Sequence, residues 1–162
     1  MESKNIMGFP YEERTLEAFN IIGFTKIVPS GGELYDEVRT DGRWQTLQSM
    51  NAADKNIYGA ASHDRKCSEG HYRYTLGVRH DKSYTANPLH DALFELRVKK
   101  SDWIVFTLNF EQEYGAFWGK NPYAMIKELG YDFNKGVGLH IDVFSESYNG
   151  HEMEFWMPVC KK

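Results

Sequence analysis

Four side chains near the carboxy-terminal end are of types that do chemistry: His140, Asp142, Glu154 and Trp156. The runs His140-Ile141-Asp142-Val143-Phe144 and Met153-Glu154-Phe155-Trp156-Met157 both alternate with the period of an extended chain. His140, Asp142 and Phe144 then share one side of the first run, and Glu154, Trp156 and Pro158 share one side of the second. Set side by side, the two runs predict one face carrying His140, Asp142, Phe144, Glu154 and Trp156 together. An acid among aromatic rings is costly to bury without a partner. The same arrangement attracts a lipophilic cation, by charge and by cation–π contact of about 0.5–2 kcal/mol. The other reading of this alternation is a solvated face on which the acids mark the outside of a sheet. Trp118 and Tyr123, in a helical stretch, are further candidates for a pocket wall.

Other chemistries find less support. His140 and Asp142 are two ligands, whereas a zinc site takes at least three from the protein. His63, Asp64, His71 and His151 join them only by assumption. No G-x-S-x-G nucleophile elbow is present. Gly136-Val137-Gly138 lacks the third glycine and the strand-before-helix context of a dinucleotide loop. Neither a metal nor a cofactor is expected. Cys67 and Cys160 lie far apart without C-x-x-C spacing and read as free thiols of a reducing cytoplasm. Arg65 and Lys66 beside Cys67 favour its thiolate, yet an inert loop thiol is the commoner outcome.

The elements that must position these residues follow from periodicity. Phe19–Val28 reads as a strand closed by Pro29-Ser30-Gly31-Gly32, and residues 33–50 as a helix that Gly42 breaks or kinks. Ile57–Ala61 and Tyr72–Val78 are short strands. After a connector over 81–91 containing Pro88, a strand near 93–98 leads into another over 103–108. A helical region holding Phe117 and Met125 is interrupted at Pro122 and capped by Gly130. Strands over 139–144 and 153–159 close the chain, with Ser147 to Gly150 in their turn.

The order strand, helix, strand, strand thus occurs twice. A shift of 81 residues superposes the halves, placing Ile22 on Trp103, Ala61 on Asp142 and Gly77-Val78 on Pro158-Val159. The fold class is α+β: duplicated βαββ units forming one antiparallel sheet, with two main helices on one face. The expected organisation is an extension over 1–18 and a single domain over 19–162, its repeats spanning 19–80 and 92–162. A pocket on the pseudo-twofold axis is the natural small-molecule site.

Composition agrees. The chain has 162 residues, enough for one domain with a sizeable core. Its formal charge of −4 offers no footprint for duplex nucleic acid. No apolar run approaches a membrane span, so a membrane is not an expected partner. Ten Phe, ten Tyr and four Trp hint at an aromatic-lined pocket beyond the needs of packing.

The successive landmarks Ile57-Tyr58-Gly59-Ala60, Tyr74–Val78, Trp103–Phe106, Leu129-Gly130-Tyr131, Ile141–Phe144 and Glu154-Phe155-Trp156-Met157-Pro158-Val159 resemble the GyrI-like effector-binding family from about Phe19 to the end. The resemblance implies the duplicated fold and a pocket between repeats. That family includes ligand-sensing parts of bacterial AraC-type and MerR-type regulators, stand-alone cassette proteins and a gyrase inhibitor. Its pocket glutamate on the penultimate strand is matched here by Asp142, one methylene shorter, and its last-strand glutamate and aromatic by Glu154 and Trp156. Its helix tryptophan is matched by Trp118 or by Tyr123. The expected function is a stand-alone module binding lipophilic cationic or aromatic small molecules, of multidrug type, with a transcription-regulation or resistance role. With too few residues before Phe19 for a helix-turn-helix, no direct nucleic-acid contact is expected, and transcriptional control would pass through a protein partner. Two alternatives stand: a hydrolase of cyclopropane-bearing genotoxins using Asp142 or Glu154 with Tyr123 or Tyr58, and an inhibitor that binds gyrase.

Overall fold

The structure, a computed structural model, describes residues 4–50, 54, 56–62, 70–80, 93–145 and 152–162. In chain order its elements are β1 (Lys4–Ile6), β2 (Phe9–Leu16), β3 (Phe19–Val28), α1 (Gly31–Thr40), α2 (Arg43–Ser49), β4 (Ile57–Ser62), β5 (Tyr72–His80), β6 (Phe94–Val98), β7 (Ser101–Asn109), α3 (Phe110–Lys120), α4 (Pro122–Glu128), β8 (Tyr131–Phe133), β9 (Leu139–Phe144) and β10 (Glu152–Lys161). Cys67, His63, Asp64 and His151 lie outside the described residues, as do the connector with Pro88 and the final hairpin's turn.

One antiparallel sheet runs in the order β1-β2-β7-β10-β9-β4-β5-β3-β6, with β8 paired to β10. The central strands are apolar on both sides because both sides are covered. Ile22, Leu76, Phe155 and Met157 pack with Leu34, Leu47, Phe117 and Met125 of the helices. Phe19, Tyr58, Trp103, Val143 and Trp156 form a second cluster on the other face.

Chain connectivity explains that second cluster. β2 is second in the sheet and β3 eighth, so a flat sheet would separate them by six steps, about 29 Å. Only residues 17 and 18 join them, a reach of about 11 Å. The link between β6 and β7 is equally short. The sheet therefore curls until its ends approach, and the Trp156 ring on β10 meets Phe19 on β3 at 6.4 Å across the interior. A Cβ at Gly23 or Gly77 would strike the backbone of the paired strand, so this stretch of the curl admits no side chain at either position.

The duplication is visible in the register. Ala61 pairs with Tyr74, and Asp142 with Phe155, the same partners moved by 81 residues. Ala60 pairs with Ile141 where the halves meet, marking the pseudo-twofold axis. Both helical stretches are broken as the sequence suggested. Gly42, at φ 90°, separates α1 from α2. Asn121, at φ 64°, ends α3 and caps α4 by accepting a hydrogen bond from Tyr123 N at 3.0 Å, with Pro122 at the first helical position. Within the stretch expected as an extension, β1 and β2 join the sheet: β2 pairs with β7 from Tyr11↔Phe106 to Leu16↔Ser101. No described helix is long and apolar enough to cross a membrane.

Candidate functional site

β9 lies between β10 and β4 at the middle of the sheet, and alternation turns its His140, Asp142 and Phe144 toward the helices. Over β4, β5 and β9, between α1 on one side and α3 and α4 on the other, is a cavity of about 760 Å³. That volume suits a drug-sized ligand. Its walls are largely aromatic. Tyr35 packs on Phe144 at 5.2 Å, Phe110 lies 6.3 Å from Phe144, and Trp118 packs on His140 at 5.4 Å. Tyr123 closes one side, its hydroxyl 3.3 Å from His140 Nδ1.

Asp142 is the buried acid of this cavity, with 6% of its surface exposed. Tyr74 donates to its Oδ2 at 3.0 Å and Tyr114 to its Oδ1 at 3.2 Å. Burial pushes the carboxyl up to about 7, and the two phenol hydrogen bonds pull the other way. Burial, and then the neighbouring Asp142 charge, hold the Tyr74 and Tyr114 phenols far above their ordinary range. Both remain protonated donors. The acid thus changes charge near neutrality, and its hydrogen-bond partners among the described residues are phenols rather than a cation. Asp36, exposed on α1, lines the cavity mouth as a second acid.

Five of the sequence candidates meet here: Asp142, His140, Phe144, Trp118 and Tyr123 all line the cavity. Both Trp118 and Tyr123 do so, so neither displaces the other. Glu154, Trp156 and Tyr58 do not join them, and the expectation of a single shared face is corrected. Residues directly opposite in antiparallel strands share a side. Asp142 stands opposite Phe155 and Gly59, whereas Glu154 and Tyr58 stand opposite Val143. These three therefore face the interior of the curl.

Glu154 is engaged there. It accepts from Arg14 at 3.0 and 3.4 Å and from the Trp156 indole at 3.1 Å, and Arg14 also pairs with Glu12. The Arg14 guanidinium sits 5.6 Å from the Trp156 ring centroid. Tyr58 donates to Asp54 at 2.6 Å.

The sequence reading missed Tyr35, Tyr74, Phe110 and Tyr114, which line the cavity. A signal for two of them existed: Phe110, Tyr114 and Trp118 follow at steps of four and form one helical stripe. Among the described residues, no three His, Cys, Asp or Glu side chains gather as a metal site would require.

A family model for the GyrI-like small molecule binding domain matches residues 9–159. No curated protein sequence matches the chain. Among solved structures, SAV2435 bound to tetraphenylphosphonium superposes with a TM-score of 0.68 at 14% identity, over 93% of each chain. The EcmrR C-terminal domain gives 0.64 at 10% identity, over 96% of this chain and 100% of that one. An integron cassette protein from Vibrio cholerae gives 0.53 at 15% identity, over 93% of this chain and 95% of that one. At these identities the likeness is one of fold.

Proposed function

We propose, for a chain that belongs to the GyrI-like small molecule binding domain family, that the cavity over β9 captures lipophilic cationic and aromatic small molecules. One observation carries this reading: Asp142 is a buried acid hydrogen-bonded by two neutral phenols, inside an aromatic cavity. A cation entering the cavity supplies the missing counter-charge, and the rings of Tyr35, Trp118 and Phe144 offer it π faces. A neutral aromatic gains the rings alone. The solved fold neighbour that holds tetraphenylphosphonium makes this cation the first probe. Recognition is of small molecules, and any effect on transcription or resistance would run through a protein that senses the loaded state. Free thiols such as Cys160 fit a reducing cytoplasm.

The test is an affinity comparison between wild type and Asp142→Asn. Tetraphenylphosphonium should bind at least tenfold more weakly to the variant, while neutral triphenylphosphine oxide keeps its affinity. Equal losses for both probes would remove Asp142 from cation recognition.

A second reading rests on the same acid. A carboxyl that titrates near 7 is suited to general acid or base work, with Tyr74 and Tyr114 within hydrogen-bond reach. A hydrolase would return a ligand heavier by one water or split in two. An unchanged mass after prolonged incubation argues for binding alone.

A further inference from the structure

Gly59 on β4 stands directly opposite Asp142 on β9. Tyr74 belongs to β5, where it pairs with Ala61, yet its hydroxyl donates to Asp142 two strands away. Its ring must therefore lie over β4. A Cβ at Gly59 would overlap the Tyr74 hydroxyl and come within 2.6 Å of Cζ. The three nearest atoms it would meet all belong to the Tyr74 ring and hydroxyl. Gly23 and Gly77 differ in kind, since a side chain there collides with backbone at Leu76 and Ile22. Nor is Gly59 one of the glycines with positive φ. Its backbone conformation suits other residues, and what excludes a side chain is the path of one phenol.

We propose that Gly59 is a positioning residue that sets the specificity of the cavity: its missing side chain lets Tyr74 cross β4 and donate to Asp142, and so favours cations over neutral molecules of the same shape. The second half rests on the cation reading above, whereas the control of Asp142 by Gly59 through Tyr74 needs no ligand. A phenol donating to a carboxylate stabilises the charged form. With Tyr74 displaced, Asp142 keeps, among the described residues, Tyr114 as its side-chain donor in the same apolar surroundings and holds its proton to higher pH. The other titratable groups lining this space are Tyr72 on β5, Tyr35 and Asp36 on α1, Tyr123 on α4 and His140 on β9 itself. None of them supplies any of the three atoms nearest to a Cβ at Gly59.

The experiment follows the Asp142 carboxyl by its carbon-13 shift across pH in wild type, Gly59→Ala, Tyr74→Phe and the double variant. Each single variant should raise the midpoint by about one pH unit, and the double variant no further, because both act through one hydrogen bond. At pH 7 the preference for tetraphenylphosphonium over triphenylphosphine oxide should then fall about fivefold in each, following the ionised fraction. A Gly59→Ala midpoint equal to wild type, or a shift that adds to that of Tyr74→Phe, would overturn the proposal. Midpoints that move as stated, beside a wild type with no cation preference, would uphold the positioning role and remove the cation reading. If Gly59→Ala fails to fold, Gly59→Ala with Tyr74→Leu decides. Recovered folding puts the clash at Tyr74, and continued failure puts it in the backbone, against the proposal.

Discussion

Asp142 holds its proton in the folded protein under conditions where a solvated aspartate has lost it, and this links stability to pH. Its folded pKa of about 7 lies above the unfolded value, so the folded state binds more protons between the two. Stability attached to this group is complete below about pH 4, falls as pH rises toward 7, and is flat beyond. The loss is on the order of 4 kcal/mol. Asp142→Asn removes the charge that causes it. Thermal unfolding should therefore show the variant more stable than wild type at pH 8, with a narrower gap at pH 5. A gap that widens toward pH 5 would contradict the assignment.

Glu154 is the contrasting acid. Its carboxylate is met by Arg14 and Trp156 on the far side of the sheet. Both partners of the ion pair are about a third exposed, so Glu154→Gln should cost roughly 0.5–1 kcal/mol in a denaturant titration. Tetraphenylphosphonium affinity should not change, and a tenfold loss would place Glu154 in the ligand site after all. Alternation within β9 and within β10 was legible in the sequence, since a period of two survives any context. Their mutual register was not. It depends on the chain between the two strands, residues 145–151, whose length does not determine which residues face each other, and a one-residue slip moves a whole strand's side chains across the sheet.

At the scale of elements, the helix breaks at Gly42 and Pro122 could be read directly, because a left-handed glycine and a proline act locally. The break at Asn121 and Pro122 lets α3 and α4 both line the cavity, and the Asn121 cap sets the start of α4, from which Tyr123 reaches His140. β2 was not legible. Phe9-Pro10-Tyr11-Glu12-Glu13-Arg14 is polar, and what makes it part of the fold is non-local: its pairing with β7, the packing of Phe9 on Phe117 at 5.3 Å and the Arg14–Glu154 ion pair. Removing residues 1–18 should leave the β7 edge open and uncover Phe117. The shortened chain is expected to unfold at clearly lower urea concentration and to aggregate when concentrated. An unchanged urea midpoint would reduce β2 to an ornament of the sheet.

For the whole molecule, the duplication came through in element order and in the shift of 81 residues, with almost no identity between halves. The curl stayed hidden, because it follows from two short links joining strands remote in the sheet, and no local pattern records which strands those are. Symmetry also makes the chemical asymmetry of the cavity plain. Asp142 comes from the second repeat, and its counterpart in the first is Ala61. Tyr74 comes from the first, and its counterpart in the second is Phe155. The second half supplies the acid and one donor, Tyr114, and the first half supplies the other, Tyr74, so the full set of partners forms only where both halves meet.

The central claim is that this shared acid selects ligands by charge. The most direct measurement is calorimetric titration of the wild-type protein with tetraphenylphosphonium and with tetraphenylborate, equal in shape and opposite in charge, at pH 6 and pH 8. The account predicts saturable binding of the cation, several-fold tighter at pH 8 where Asp142 is ionised, and no comparable binding of the anion. Equal affinities for the two ions, or a cation affinity that is the same at both pH values, would contradict it.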